Sequence, residues 1–159
     1  MHTHTNTAQD TEDFGWQLGS ARPAGDSELA VLYLEGELGA GKTTFARGLL
    51  RAFGVSGTVR SPTYTLLELY PVGELTLLHV DLYRLRGAEE LEPLGLRDWA
   101  RPKCLWLIEW PERGRGGLPP PDLTLKFAVG ASGHDIDVTA QTALGETWLV
   151  QLTGEERQA

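Results

Sequence analysis

The chain has a single cysteine, Cys104, among its 159 residues, so it holds no intramolecular disulfide. Cys104 opens an apolar run and reads as a small buried hydrophobe. No apolar stretch approaches the roughly 20 residues that a membrane-spanning helix needs, so no membrane association is expected. Residues 1–13 are polar and lack the basic-then-apolar order of a secretory leader. Basic residues are outnumbered, with 14 Lys and Arg against 22 Asp and Glu and a formal net charge of −8. Such a surface repels phosphate backbones, and unaided nucleic-acid binding is disfavoured. A reducing cytoplasm fits these absences.

What is present is ordinary globular material, 41% hydrophobic and 23% charged. The length suggests one domain with a real core. The expected organisation is a disordered polar tail over residues 1–10, one folded domain over 11–152, and a C-terminal tail over 153–159. His2 and His4 fall in the first tail. Thr11 is the expected cap of a short helix ending near Ser20, in which Phe14 and Leu18 share a face that Trp16 does not. A loop follows over 22–26. Strands are expected over 29–35, 64–70, 75–81 and 104–110, the second and third joined by a turn as an antiparallel pair. Residues 88–94 and 96–101 read as two short helices broken near Pro93 and Gly95. At the end, 123–129, 136–140 and 147–152 alternate apolar and polar residues and predict an antiparallel meander. The fold class is therefore α/β: a three-layer sandwich of the P-loop NTPase type, with a mixed sheet and a C-terminal antiparallel extension.

Residues 36–43 read Gly-Glu-Leu-Gly-Ala-Gly-Lys-Thr and match G-x-x-x-x-G-K-[ST]. An apolar strand leads in and a helical pattern over 44–53 leads out, the setting a phosphate loop requires. Successive backbone N–H groups converge on an anion there, and the following helix adds the positive end of its dipole. Nucleotide contacts are expected from Gly36, Leu38, Gly39, Ala40, Gly41, Lys42, Thr43 and Thr44. Lys42 reaches the β- and γ-phosphates and Thr43 offers its hydroxyl to Mg²⁺. No Asn-Lys-x-Asp guanine signature follows the loop, which favours ATP over GTP.

Phosphoryl chemistry also needs a carboxylate at a neighbouring strand end. Two stand out, Asp81 after Leu77-Leu78-His79-Val80 and Glu109 after Leu105-Trp106-Leu107-Ile108. Glu109 is expected at the metal, with Asp81 ordering water or the metal's outer shell. Residues alone do not say which of the two touches Mg²⁺. Ser61-Pro62-Thr63 sits where a segment sensing the γ-phosphate is found. His79 shares a strand face with Asp81 and reads as structural. Arg113 and Arg115 lie in a Gly-rich loop past Glu109, where solvated arginines are the rule, and Trp110 stands beside Glu109.

The phosphate loop, Ser61-Pro62-Thr63-Tyr64, His79-Val80-Asp81-Leu82-Tyr83-Arg84 and Ile108-Glu109-Trp110-Pro111, in this order and in a chain of this size, closely resemble the TsaE (YjeE) family. That resemblance covers about residues 11–152. It implies a weak Mg²⁺-dependent ATPase of bacterial tRNA threonylcarbamoyladenosine (t6A) biosynthesis. It implies a TsaB–TsaD heterodimer as partner, with tRNA reached only through it. It further implies that Lys42 and Thr43 hold phosphate and Mg²⁺, that Glu109 is the metal-associated acid, and that Asp81 belongs to a Walker-B-like motif. Thr63 falls in a switch-like loop, Trp110 lies near the nucleotide, and Thr11 and Glu12 lie by the adenosine. Gly15 stands where a threonine is often found. The competing reading is a small-molecule P-loop kinase, of whose lid Arg113 and Arg115 are the only hint.

Overall fold

The structure is a computed structural model that describes residues 1–24 and 28–154. Its frame is a seven-stranded mixed sheet. In chain order the strands are β1 (His2–Thr5), β2 (Ala30–Glu35), β3 (Leu67–Val72), β4 (Leu75–Asp81), β5 (Cys104–Glu109), β6 (Leu123–Val129) and β7 (His134–Ala140). Across the sheet the order is β1-β7-β6-β2-β5-β4-β3. The four central strands β6, β2, β5 and β4 run parallel, and β1, β7 and β3 add antiparallel edges. The central strands are nearly all apolar because both faces are covered.

Helices α1 (Ala8–Ser20), α2 (Lys42–Ala52) and α3 (Ala143–Thr153) carry the first face. Phe14 and Leu18 of α1, Phe45 and Leu49 of α2 and Trp148 of α3 pack there on Leu32, Leu34, Leu105 and Leu125. The buried indole of Trp148 donates to the Leu18 carbonyl at 2.7 Å. The second face gathers Val31, Val80, Trp106 and Ile108 under two short 3₁₀ helices, Ala88–Leu94 and Leu96–Trp99. Cys104 is buried among them. The expected α/β sandwich, its parallel β2–β5 pair and its β3–β4 hairpin are all present.

Several local expectations are corrected. Residues 1–10 are not a disordered tail: His2–Thr5 pair with β7 as an edge strand, and Thr5 is buried. Polar residues at these positions conceal a strand whose partner lies more than 120 residues away. Helix α1 starts at Ala8, not Thr11. Thr7 is its cap, in a reciprocal capping box with Asp10, and this leaves Thr11 buried against Thr5, with hydroxyls 2.7 Å apart. Residues 147–152 are helix, not strand. Their β-favouring Trp, Leu and Val suggest alternation, but Thr142 caps α3 and Trp148 must reach the core. The C-terminal extension is accordingly only β6 and β7, with β6 parallel to β2. The strand expected over 64–70 begins later, at Leu67. Part of the expected 22–26 loop and most of the expected tail after 152 lie outside the described residues, and Thr153 closes α3. Among the described residues no helix is long and apolar enough to cross a membrane.

Candidate functional site: a phosphate loop facing two strand-end carboxylates

The loop between β2 and α2 leaves the carboxyl edge of the parallel strands, where open α/β sheets gather their ligands. Gly36 takes φ +147°, and a Cβ there would collide with the backbone of Phe127 on β6. Gly41 takes φ +99° at the start of α2, a conformation that side chains rarely adopt. The curve that results points the first N–H groups of α2 into a cavity of about 390 Å³.

Lys42 lies along the floor of that curve. Its ammonium donates to the carbonyls of Gly36 and, at 3.1 Å, Glu37, and sits 4.0 Å from the centre of the Trp110 ring. Burial holds its pKa below the usual lysine value, against the opposing pull of Glu109, Glu112 and Asp81. Thr43, the next residue, donates its hydroxyl to Glu109, with both carboxylate oxygens within reach at 3.0 and 3.2 Å.

The strand register explains the carboxylates. Asp81 and Glu109 are directly paired at the ends of the parallel strands β4 and β5, so their side chains leave the same face. Both are buried. Asp81 accepts from the Ser61 hydroxyl and from the Tyr83 backbone N–H at 2.9 Å, which ties the 61–65 segment to the strand end. His79, two residues before Asp81 and fully buried, donates Nε2–H to Glu109 at 2.6 Å. Its structural role is therefore specific: it fixes the carboxylate that faces Thr43. Trp110 takes φ +58°, and that turn swings its ring over Lys42.

Of the residues singled out in the sequence, Leu38, Gly39, Ala40, Gly41, Lys42, Thr43, Thr44, Thr63, Asp81, Glu109 and Trp110 all line the one cavity. Gly36 shapes it from behind. Glu12 does not belong to it: its carboxylate turns to Arg51 and, at 3.8 Å, Arg47 on α2. The neighbouring Thr11 lines the cavity in its place. Sequence reasoning missed Ala8 and His134. His134 reaches across from β7 to donate to the Gly39 carbonyl at 3.2 Å. No local motif marks either residue, because the pairing of β1, β6 and β7 carries them in.

Taken together, the motif, the strand order and the paired acids define a P-loop protein of the α/β class. Comparisons with known proteins narrow this. A family model described as threonylcarbamoyl adenosine biosynthesis protein TsaE matches residues 5–136. The Haemophilus influenzae protein named tRNA threonylcarbamoyladenosine biosynthesis protein TsaE is 46% identical over 121 residues, covering 76% of this chain and 77% of that one. Its namesake in Treponema pallidum is 37% identical over 134 residues, covering 84% and 96%. The crystal structure of Bacillus subtilis YdiB superposes with a TM-score of 0.78 at 28% identity, covering 97% of this chain and 94% of that one. The chain belongs to the TsaE family.

Proposed function

We propose that this protein binds ATP with Mg²⁺ in the phosphate loop and hydrolyses it slowly, as a component of the tRNA t6A-modification machinery acting with a TsaB–TsaD heterodimer. One observation carries the reading. The Thr43 hydroxyl and the Glu109 carboxylate meet at 3.0 Å inside the loop's cavity, with Lys42 on the adjoining turn. Mg²⁺ is held in such sites by one or two protein oxygens together with phosphates, and this donor set fits that pattern. Among the described residues no group of three His, Cys, Asp or Glu forms a separate metal cage.

In this reading Thr43 and Glu109 would hold the ion, which would supply charge neutralisation to the phosphate chain. Backbone N–H groups of residues 39–44 grip the phosphate chain, and Lys42 balances its charge. His79 keeps Glu109 in one orientation. Asp81, bonded to Ser61, holds the 61–65 segment and Thr63 at the phosphate end and orders the attacking water. Trp110 shields the lysine from solvent. Access to tRNA runs through the partners, and the setting is cytoplasmic.

The test is ATP hydrolysis measured with the protein alone, with candidate metabolites, and with TsaB–TsaD and tRNA. Stimulation by the heterodimer supports the reading. Phosphate appearing on a small-molecule acceptor overturns it in favour of a kinase.

A further inference from the structure

The cavity is walled from two sides of β2. Asp81 and Glu109 reach it from β4 and β5, and Thr11 and His134 reach it from α1 and β7, across the sheet. The first side carries the charges that suit phosphate and Mg²⁺. The second side depends on Thr5, the last residue of β1, which no short pattern marks. Thr5 is 3% exposed, and its hydroxyl lies 2.7 Å from that of Thr11. Each hydroxyl has a backbone carbonyl farther out, Thr7 at 3.3 Å for Thr11 and His134 at 3.5 Å for Thr5. The short contact between the two side chains is therefore the stronger bond of both.

Thr5 is itself held firmly. Its register partner is His134, and a Cβ added at Gly133 would collide with the Thr5 carbonyl oxygen, so the two backbones meet there with no side chain between them. The corner from β1 into α1 is tied as well. The Asp10 carboxylate accepts from the N–H groups of Asn6 and Thr7, each at 3.1 Å. A threonine carries two branches on Cβ and has few rotamers. With the Thr11 hydroxyl held by Thr5, the methyl is the branch turned to the phosphate loop: a Cβ at Gly41 would stand 3.4 Å from Thr11 Cγ2.

We propose that Thr5 is a positioning residue of the nucleotide site: its hydroxyl fixes the Thr11 rotamer, so that an apolar wall faces the nucleoside part of the ligand. The inference rests on the reading of the cavity as an ATP site and divides that site into two working halves. Lys42, Thr43, Asp81 and Glu109 serve the phosphates and the metal. Ala8 and the Thr11 methyl give the sugar and base an apolar surface to pack on. A Thr11 released from Thr5 turns its hydroxyl toward that surface in part of the population, which sets a polar group against an apolar one. Thr5 does not line the cavity, so its effect passes through Thr11.

The test compares MgATP with magnesium tripolyphosphate, which offers phosphates without a nucleoside, by titration calorimetry on the full chain. Thr5→Val keeps the shape and removes the hydroxyl. It is expected to weaken ATP binding about three- to tenfold, the loss of one net hydrogen bond, and to leave tripolyphosphate binding as in the parent. In hydrolysis the same variant should raise KM with kcat unchanged. Thr5→Ser retains the hydroxyl and should bind ATP as the parent does. Thr3→Val, the same exchange two residues earlier on the strand, should bind both ligands as the parent does. Thr11→Ser keeps the bond to Thr5 and deletes the methyl that faces the loop. It should lose affinity for ATP and not for tripolyphosphate, and it decides the outcome if Thr5→Val does not fold. Unchanged ATP affinity in Thr5→Val or Thr11→Ser overturns this inference and leaves the ATP reading standing. So does equal weakening of both ligands by Thr5→Val, which is what a purely structural contact gives, or a parent that binds the two ligands equally well. A parent that binds neither ligand overturns the ATP reading, and this inference with it.

Discussion

Replacing Gly48 by alanine separates local from tertiary physics, because the two predict opposite signs. Gly48 lies inside α2, and within an isolated helix Gly→Ala is favourable by about 1 kcal/mol. Here α1 crosses α2 at that residue. An added Cβ would fall against the Glu12 carbonyl oxygen, 2.7 Å from the carbonyl carbon and 3.1 Å from Cα. An ordinary contact starts near 3.4 Å, so the helices must part by at least 0.7 Å at a backbone that has no rotamer to yield. Separation loosens Phe14 and Leu18 from Phe45 and Leu49, all of them in the core. Overpacking of this sort costs about 1–3 kcal/mol or more, which outweighs the propensity gain. With roughly 2–4 °C per kcal/mol for a chain of this length, G48A should lower Tm by several degrees in a thermal scan followed by far-UV circular dichroism. Thr11, on the displaced helix, lines the cavity, so nucleotide affinity should fall with it. An unchanged or higher Tm would refute the packing argument.

Three further outcomes follow from single sites. Glu109→Gln keeps the shape and removes the charge facing Thr43; Mg²⁺-dependent ATP hydrolysis should drop by about 10–100-fold with the fold intact, and a variant with the parent's Mg²⁺ titration would remove Glu109 from the metal site. Asp122 is buried and accepts from the Val31 N–H at 2.8 Å and the Thr142 hydroxyl at 2.7 Å. Asp122→Ala leaves both donors unpaired and should destabilise by about 1–3 kcal/mol in urea, so a shift under a third of that would count against this buried bracket. The hydrogen bond to Asp135 raises the pKa of His4 above 6.5, so protonated His4 favours the paired β1. That contribution is complete below pH 6.5 and is lost as pH rises through the raised value. Amide exchange at Thr5, corrected for its intrinsic pH dependence, should therefore speed up across that window in the parent and not in His4→Gln.

The phosphate-loop half of the candidate site was legible because its residues lie in short contiguous patterns. A phosphate loop needs glycines, a lysine and a hydroxyl at fixed offsets, and its acids must end strands that are apolar on both faces. Leu38 through Thr44, Asp81 and Glu109 were singled out on that basis, and they share one cavity with Trp110, which the family resemblance supplied. The errors fell where a distant partner decides. Glu12 was placed by the adenosine through the family resemblance, but the register of α1 against α2 hands its carboxylate to Arg51. His134 and Ala8 carry no signal at all, since they reach the loop only when β1 closes on β7.

The sequence by itself determined the α/β class, the phosphate loop and the strands whose ends carry the acids, because periodicity and glycine placement are local constraints on the backbone. Only the tertiary structure decided that the first ten residues hold a strand and the start of α1, and that residues 147–152 are helical. It also decided that His79 braces Glu109 and that His134 reaches Gly39. These depend on contacts between residues tens to more than a hundred positions apart. Such contacts are set by which apolar faces must be covered and which strand edge is open to pair, and no short window of the chain contains both partners.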